Sequence, residues 1–203
     1  MHVRRLLLTG LAIGLALLSP RVLATTVEPP SFDSLVSRAD FVVRAVVKSA
    51  TPEWHEADGK RYISTVLELE VRDVIKGTPP SPLVLTLLGG RIGEAEFTVT
   101  GMPIFEVGDE SILFVYGSEK KLYPLVSMMH GVYPILREAK TGQDYVLRSN
   151  GMPLYTPADV ALPMCRASAA LKANATVRPL TPNAFIQEIR QRVTRGARTA
   201  NEN

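Results

Sequence analysis

The sequence predicts an all-β protein, a barrel or a sandwich, lying behind an export signal. Two observations carry that expectation. Apolar and polar residues alternate through short segments separated by Gly, Pro and Asp turns, and residues 41–47, FVVRAVV, form a nearly continuous β-branched run broken only by Arg44.

The export signal occupies residues 1–24. Arg4 and Arg5 precede an apolar run, and Val22, Leu23 and Ala24 form a small-residue cleavage site. The run covers residues 6–18 and contains two glycines, whereas a bilayer span takes roughly 20 apolar residues. A cleaved, exported protein, periplasmic or secreted, is therefore expected, with no stable membrane span and with Thr25 as its first residue. Loss of Arg4, Arg5 and Arg21 turns the formal charge of +3 into neutrality. The remaining charge is uneven: residues 25–165 carry 13 Lys and Arg against 18 Asp and Glu, and residues 166–203 carry 7 against 2. The basic tail is expected to lie on its own acidic domain or on an anionic surface; with Phe185 the one aromatic residue among its arginines, nucleic acid is not an expected partner. Cys165 is the only cysteine, so stability rests on a core and not on an internal disulfide. Neither His55 nor His130 has a family-type spacing to Cys165 that would make it a nucleophile.

After Pro29 and Pro30, Ser31 is placed to cap a short helix through Arg38, with Phe32, Leu35, Val36 and Ala39 on its apolar face. The strand at residues 41–47 follows. Residues 51–60 contain Pro52, Asp58 and Gly59 with several charges and read as an exposed hairpin loop, with Trp54 folded over the barrel. Alternation returns over residues 61–75; that length exceeds a typical strand, so a bulge is expected near Leu67. Further strands are expected at residues 82–88, 96–100, 111–116, 122–129, 132–137 and 145–148, with a hairpin or bulge at Gly89, Gly90 and Gly93. Past Gly151 the chain becomes Pro-rich. A helical turn is expected at residues 158–161 and a weak helix at 166–173; a stronger one opens at Thr181 and Pro182, with Phe185, Ile186, Ile189 and Val193 as its stripe. The organisation expected is residues 1–24 signal, 25–150 β-domain with an added hairpin, 151–193 Pro-rich arm and helix, and 194–203 disordered tail.

Candidate sites are sparse. Glu53, His55, Glu56 and Asp58 are ligand types for a divalent cation, yet they match neither a zinc nor a calcium-loop spacing and read as a solvated hairpin tip. His130 beside Met128 and Met129 has soft-metal neighbours but reads as a structural turn histidine. The glycines at 89, 90 and 93 lack the helix and Lys-Ser or Lys-Thr pair of a phosphate cradle. No nucleophile elbow and no His-Glu-x-x-His is present. No metal, cofactor or catalytic residue is expected.

The succession of a short helix, the strand beginning Ala39-Asp40-Phe41, the long strand from Tyr62 to Val74, Ile75-Lys76-Gly77, and later Phe105-Glu106-Val107-Gly108 before Leu113-Phe114-Val115 resembles the netrin-like domain, whose superfamily includes the tissue inhibitors of metalloproteinases. The resemblance covers about residues 25–129, roughly half the chain. It implies a five-stranded OB-like (netrin-type) barrel with a short N-terminal helix, here extended by a β-hairpin and a C-terminal helix, and it implies binding on one sheet face and its rim loops. Thr25, Thr26, Val27, Glu28, Pro29 and Pro30 look like the reactive edge of those inhibitors, Cys-Thr-Cys-x-Pro-Pro, with Thr25 and Val27 standing where the family has cysteines. Carried over, the Thr25 α-amine and carbonyl would chelate a protease zinc and the Thr26 side chain would enter its specificity pocket; an α-amine, with a pKa of about 7.7–8.0, can lose its proton to a metal. The expected function is that of a non-enzymatic exported protein-binding module whose partner is another exported protein, a zinc metalloprotease by this resemblance, met by that edge with Trp54 and His55 at the rim. The alternative is an envelope-associated accessory protein acting through the basic C-terminal helix.

Overall fold

The computed structural model describes residues 28–117, 123–164 and 178–201. The signal, Thr25, Thr26, Val27, Cys165 and the weak helix expected at 166–173 lie outside them.

Helix α1, Phe32–Arg38, starts where the Pro pair ends: Ser31 Oγ accepts the Ser34 amide at 3.2 Å, and Phe32, Leu35 and Val36 are buried. Its C-terminal carbonyls are met from outside. Lys76 Nζ donates to the carbonyls of Val36 at 2.7 Å and Ala39 at 2.5 Å, a cation at the negative end of the helix dipole. Gly77 holds φ +70°, and a Cβ there would sit 2.1 Å from the Asp40 carbonyl oxygen. Only glycine permits that approach.

Strand β1, Phe41–Ala57, and β2, Lys60–Lys76, form one long antiparallel hairpin. The expected loop at residues 51–60 is thus mostly strand. The turn is Asp58-Gly59 alone, both residues at positive φ (53° and 70°), the two-residue geometry whose twist matches the flanking strands. Irregularities lie between Val42 and Val43, Arg44 and Ala45, and Val47 and Ser49. The last faces the Glu68–Leu69 step, beside the bulge expected at Leu67.

Six strands pair in the order β3-β2-β1-β6-β7-β8, where β3 is Leu83–Leu88, β6 Glu110–Val115, β7 Val132–Arg137 and β8 Asp144–Val146. The hairpin expected at the glycines is β4, Gly90–Ile92, paired with β5, Ala95–Phe97. The protein is mostly β and antiparallel, with two α-helices among the described residues. The sheet is not a closed five-stranded barrel, because no ladder among the described residues joins β3 to β7. Residues 102–105 line one cavity together with Leu87 of β3 and another with Val132 and Pro134 of β7.

The strand expected at 122–129 is also absent over its described part. Leu125 makes a single bridge to Val115, Ser127 and Met128 turn to positive φ, and a 3-10 turn runs over Met128–Gly131. A Cβ on Gly131 would lie 2.6 Å from the Val126 carbonyl, so the glycine lets the chain double back.

The start of β1, Phe41 to Val43, and Ser111 to Val115 of β6 are buried on both faces, and this divides the core. Phe41, Val43, Ala45, Val47, Leu113 and Val115 pack inside the curled sheet with Leu67, Leu69 and the leucines of β3. Val42, Ile112 and Phe114 point the other way, onto the helices. There α2, Pro182–Asn201, lays Phe185, Ile186 and Ile189 against Phe32, Phe114 and Tyr133. Thr181 Oγ1 accepts the Ala184 amide at 3.3 Å as the cap. The helix continues past Val193 to Asn201, where a disordered tail was expected: residues 194–201 contain no proline, and the single Gly196 is tolerated within a helix. The basic tail does lie on the acidic domain, through Arg190 on Asp73 at 2.9 Å and through Arg192 on Asp33.

Candidate functional site

The residues singled out from the sequence fall into separate places. Of the N-terminal edge, Glu28 is exposed, Pro29 half-buried and Pro30 buried, leading directly into α1. Trp54 and His55 lie near the far end of β1, on the hairpin arm that runs beyond Ser64, the last residue of β2 to pair with β3. Trp54 is 42% exposed and is not folded over the sheet. Alternation sets neighbouring side chains on opposite faces, so Trp54 meets the diagonal Arg61, whose guanidinium carbon stands 4.2 Å from its ring centroid. On the other face His55 stacks on Tyr62, ring centroids 5.4 Å apart, and its Nε2 is 2.6 Å from Ser64 Oγ. His55 is therefore held as a structural element of the arm. Glu53, Glu56 and Asp58 do not gather around it, and among the described residues no three His, Cys, Asp or Glu side chains come together.

His130 is 2% exposed, in the 3-10 turn. Burial lowers its pKa below the ordinary histidine value, the charge of Arg148 adds to that, and the Val160 carbonyl opposes it. The neighbouring Tyr133 hydroxyl is buried with no hydrogen-bond partner among the described residues, and burial raises its pKa. The thioethers of Met128 and Met129 turn instead to Gly101, where an added Cβ would meet their methyls at 3.6 and 3.5 Å. Imidazole and thioethers serve packing.

The feature not anticipated from the sequence is the opening beside β3. At its N-terminal half, a cleft of about 260 Å³ lies between Leu83, Val84 and Leu85 on one wall and Tyr116 and Pro124 on the other. At its C-terminal half, a cavity of about 270 Å³ is lined by Leu87, Leu88, Phe97, Met102 and Phe105. A third, of about 660 Å³, adjoins it across residues 102–105 and reaches Met129 and Val132. Ile104, on the dividing loop, is 89% exposed.

The rim is acidic. Residues 92–117 contain Glu94, Glu96, Glu106, Asp109 and Glu110 and no Lys or Arg. Glu96 pairs with Arg91 at 2.6 Å and Glu110 with Arg44 at 2.7 Å; Glu94, Glu106 and Asp109 form no ion pair among the described residues. Two signals were legible in the sequence: this charge bias, and an apolar stretch, Met102 to Val107, that follows neither strand nor helix period. Chemically the opening offers apolar walls, unpaired strand backbone and negative charge, which suits a ligand that is extended, apolar and basic.

Comparison with protein-family models, with curated proteins and with solved structures returns no match for this chain.

Proposed function

We propose that this chain is an exported, non-enzymatic protein-binding module of the netrin-like, OB type, whose mature N-terminal edge engages another exported protein, by resemblance a secreted zinc metalloprotease. The observation that carries protein binding is the hairpin arm. It holds Trp54 in solvent with Arg61 stacked on it, and His55 against Tyr62, at the tip of a ribbon. Tryptophan, tyrosine and arginine dominate the energetics of protein interfaces, and a stacked pair loses little side-chain entropy on binding. The burial of Pro30 supports the same reading, because it anchors the edge to the fold without the disulfides of the inhibitors. For the barrel, the antiparallel series β3-β2-β1-β6-β7 has five strands curled around an apolar interior and lacks one ladder of closure.

Capture from periplasmic extract or culture medium on the immobilised mature protein tests the proposal. A recovered protein whose affinity falls about tenfold or more with Trp54→Ala supports it. One extra residue ahead of Thr25 should abolish inhibition of a metalloprotease, since the α-amine would no longer reach the zinc. Capture of no protein at all sinks the reading.

A second reading, an envelope-associated accessory protein, is favoured by one observation: beyond Val193, α2 carries Arg195 and Arg198 on exposed turns. Removing residues 194–203 should then release the protein from envelope fractions. Deletion from Arg178 is unsuited to the question, because Phe185, Ile186 and Ile189 belong to the core.

A further inference from the structure

We infer that the outer edge of β3 is a docking site for an extended segment of a partner protein, added as a seventh strand, with apolar side chains at alternate positions and a lysine or arginine where it leaves the Leu88 end. The inference rests on the protein-binding reading above but uses residues other than Thr25 to Pro30, Trp54 and His55.

The backbone argument comes first. Among the described residues β3 pairs with β2 alone, and Gly89 N donates to the Ile63 carbonyl at 2.9 Å. Hydrogen-bonded pairs alternate along an antiparallel ladder, so Leu83, Leu85 and Leu87 turn their amides and carbonyls to β2, whereas Val84, Thr86 and Leu88 turn theirs outward. Among the described residues no backbone hydrogen bond to another segment takes up these outward groups. A free edge of this kind is the template on which peptides add to sheets.

The side chains carry no guard. Edge strands are ordinarily protected by Lys, Pro, a bulge or an inward charge, and β3 reads Leu-Val-Leu-Thr-Leu-Leu with an unbroken register. Val84 is 45% exposed. The clefts at its two ends give alternate side chains of an added strand apolar walls of Leu83, Leu85 and Pro124 at one end and Leu87, Met102 and Phe105 at the other.

Charge complementarity selects the occupant. At the Leu88 end the cavity wall includes Glu96, already matched by Arg91, while Glu94 in the β4–β5 turn and Glu106 next to Phe105 have no cation among the described residues. Asp109, in the adjoining cavity, accepts the Glu106 amide at 2.8 Å and pairs with no cation among the described residues. A basic residue at that end gains the attraction, an acidic one meets repulsion, and salt screens both.

The test is a titration of the full mature chain into fluorescein-labelled Lys-Val-Thr-Val-Thr-Val-Lys, followed by anisotropy, beside the same peptide flanked by Glu. Saturable binding of the Lys peptide, about tenfold tighter than that of the Glu peptide at low salt, is expected. Thr86→Pro removes one outward donor and leaves the β2 ladder intact, since proline is accepted on an edge whose N–H faces solvent; it should weaken binding about tenfold with an unchanged melting temperature. Should that variant unfold, amide exchange on the native chain decides: saturating peptide must slow Val84, Thr86 and Leu88. Absence of binding, equal binding of both peptides, undiminished binding by folded Thr86→Pro, or unchanged exchange overturns the inference. So does a dimer in sedimentation that Thr86→Pro dissociates, which assigns the edge to a second copy. Extension ahead of Thr25 should leave peptide binding untouched, so failure here and failure of the N-terminal edge are read separately.

Discussion

β8 and β3 end the same sheet, and among the described residues each has one strand neighbour, yet the chain finishes them differently. At β8, Val146 N donates to the Leu180 carbonyl at 2.9 Å, Leu154 N donates to the Val146 carbonyl at 3.0 Å, and Leu180 N donates to the Leu154 carbonyl at 2.7 Å. The Pro-rich arm thus supplies the missing strand's hydrogen bonds without being a strand, and α2 then lies over the same side. At β3 no segment among the described residues plays that part. Covering an edge needs chain that is both within reach and able to donate, and the described part of the arm that donates does so at β8. The difference teaches where stability and where recognition sit: the covered end holds the aromatic cluster of Phe32, Phe114, Tyr133 and Phe185, and the open end holds the clefts and unmatched carboxylates.

The largest expected effect comes from breaking the covered side. Phe185 packs within 5.8 Å of the Phe32 ring centroid and 5.1 Å of that of Tyr133. Phe185→Ala should cost about 3–5 kcal/mol in urea unfolding, through the lost transfer energy and the cavity left behind. Gly77→Ala follows at about 2–3 kcal/mol, because positive φ and the Asp40 carbonyl both oppose a Cβ; equal stability of the two proteins would refute the close approach.

Acidification acts on the same side. Burial lowers the folded-state pKa of His130 below its unfolded value, so the unfolded chain takes up the proton first. The stabilising contribution is complete above about pH 6.5 and is lost as pH falls through the lower folded pKa. Melting temperature should drop across that window, and His130→Gln should flatten the drop. At the open edge, Thr86→Lys should change stability by no more than about 0.5 kcal/mol while reducing aggregation at high concentration, because it adds the guard that β3 lacks. The smallest perturbation is deuterium exchange, with the amide of Val146 expected to exchange far more slowly than that of Thr86.

Much of the fold was legible locally. The α1 cap and apolar face, β3, β6, β7, the glycine hairpin and the apolar stripe of α2 follow from residue spacing. The misses have a common cause. Residues 51–57 are polar on both faces and resemble a loop, but opposite residues 60–66 they gain cross-strand partners that the spacing of one strand cannot reveal. Residues 123–129 are apolar enough to resemble a strand, but Gly131 and the positive φ of Ser127 and Met128 turn them into a bend. Of the candidate site, Trp54 and His55 were visible as residue types. Their separation from Pro30, and the opening beside β3, were not.

By itself the sequence determined which segments are apolar on one face or both, where Asp-Gly and the glycines must turn the chain, and that a core without disulfides has to hold the protein. Those are properties of neighbours along the chain. Tertiary structure alone decided that residues 102–105 line the cavities beside both β3 and β7, that Lys76 reaches the end of α1, and that the arm meets β8. Each of these pairs groups far apart in sequence, and which partner a backbone edge obtains depends on what the rest of the chain has left within hydrogen-bonding distance.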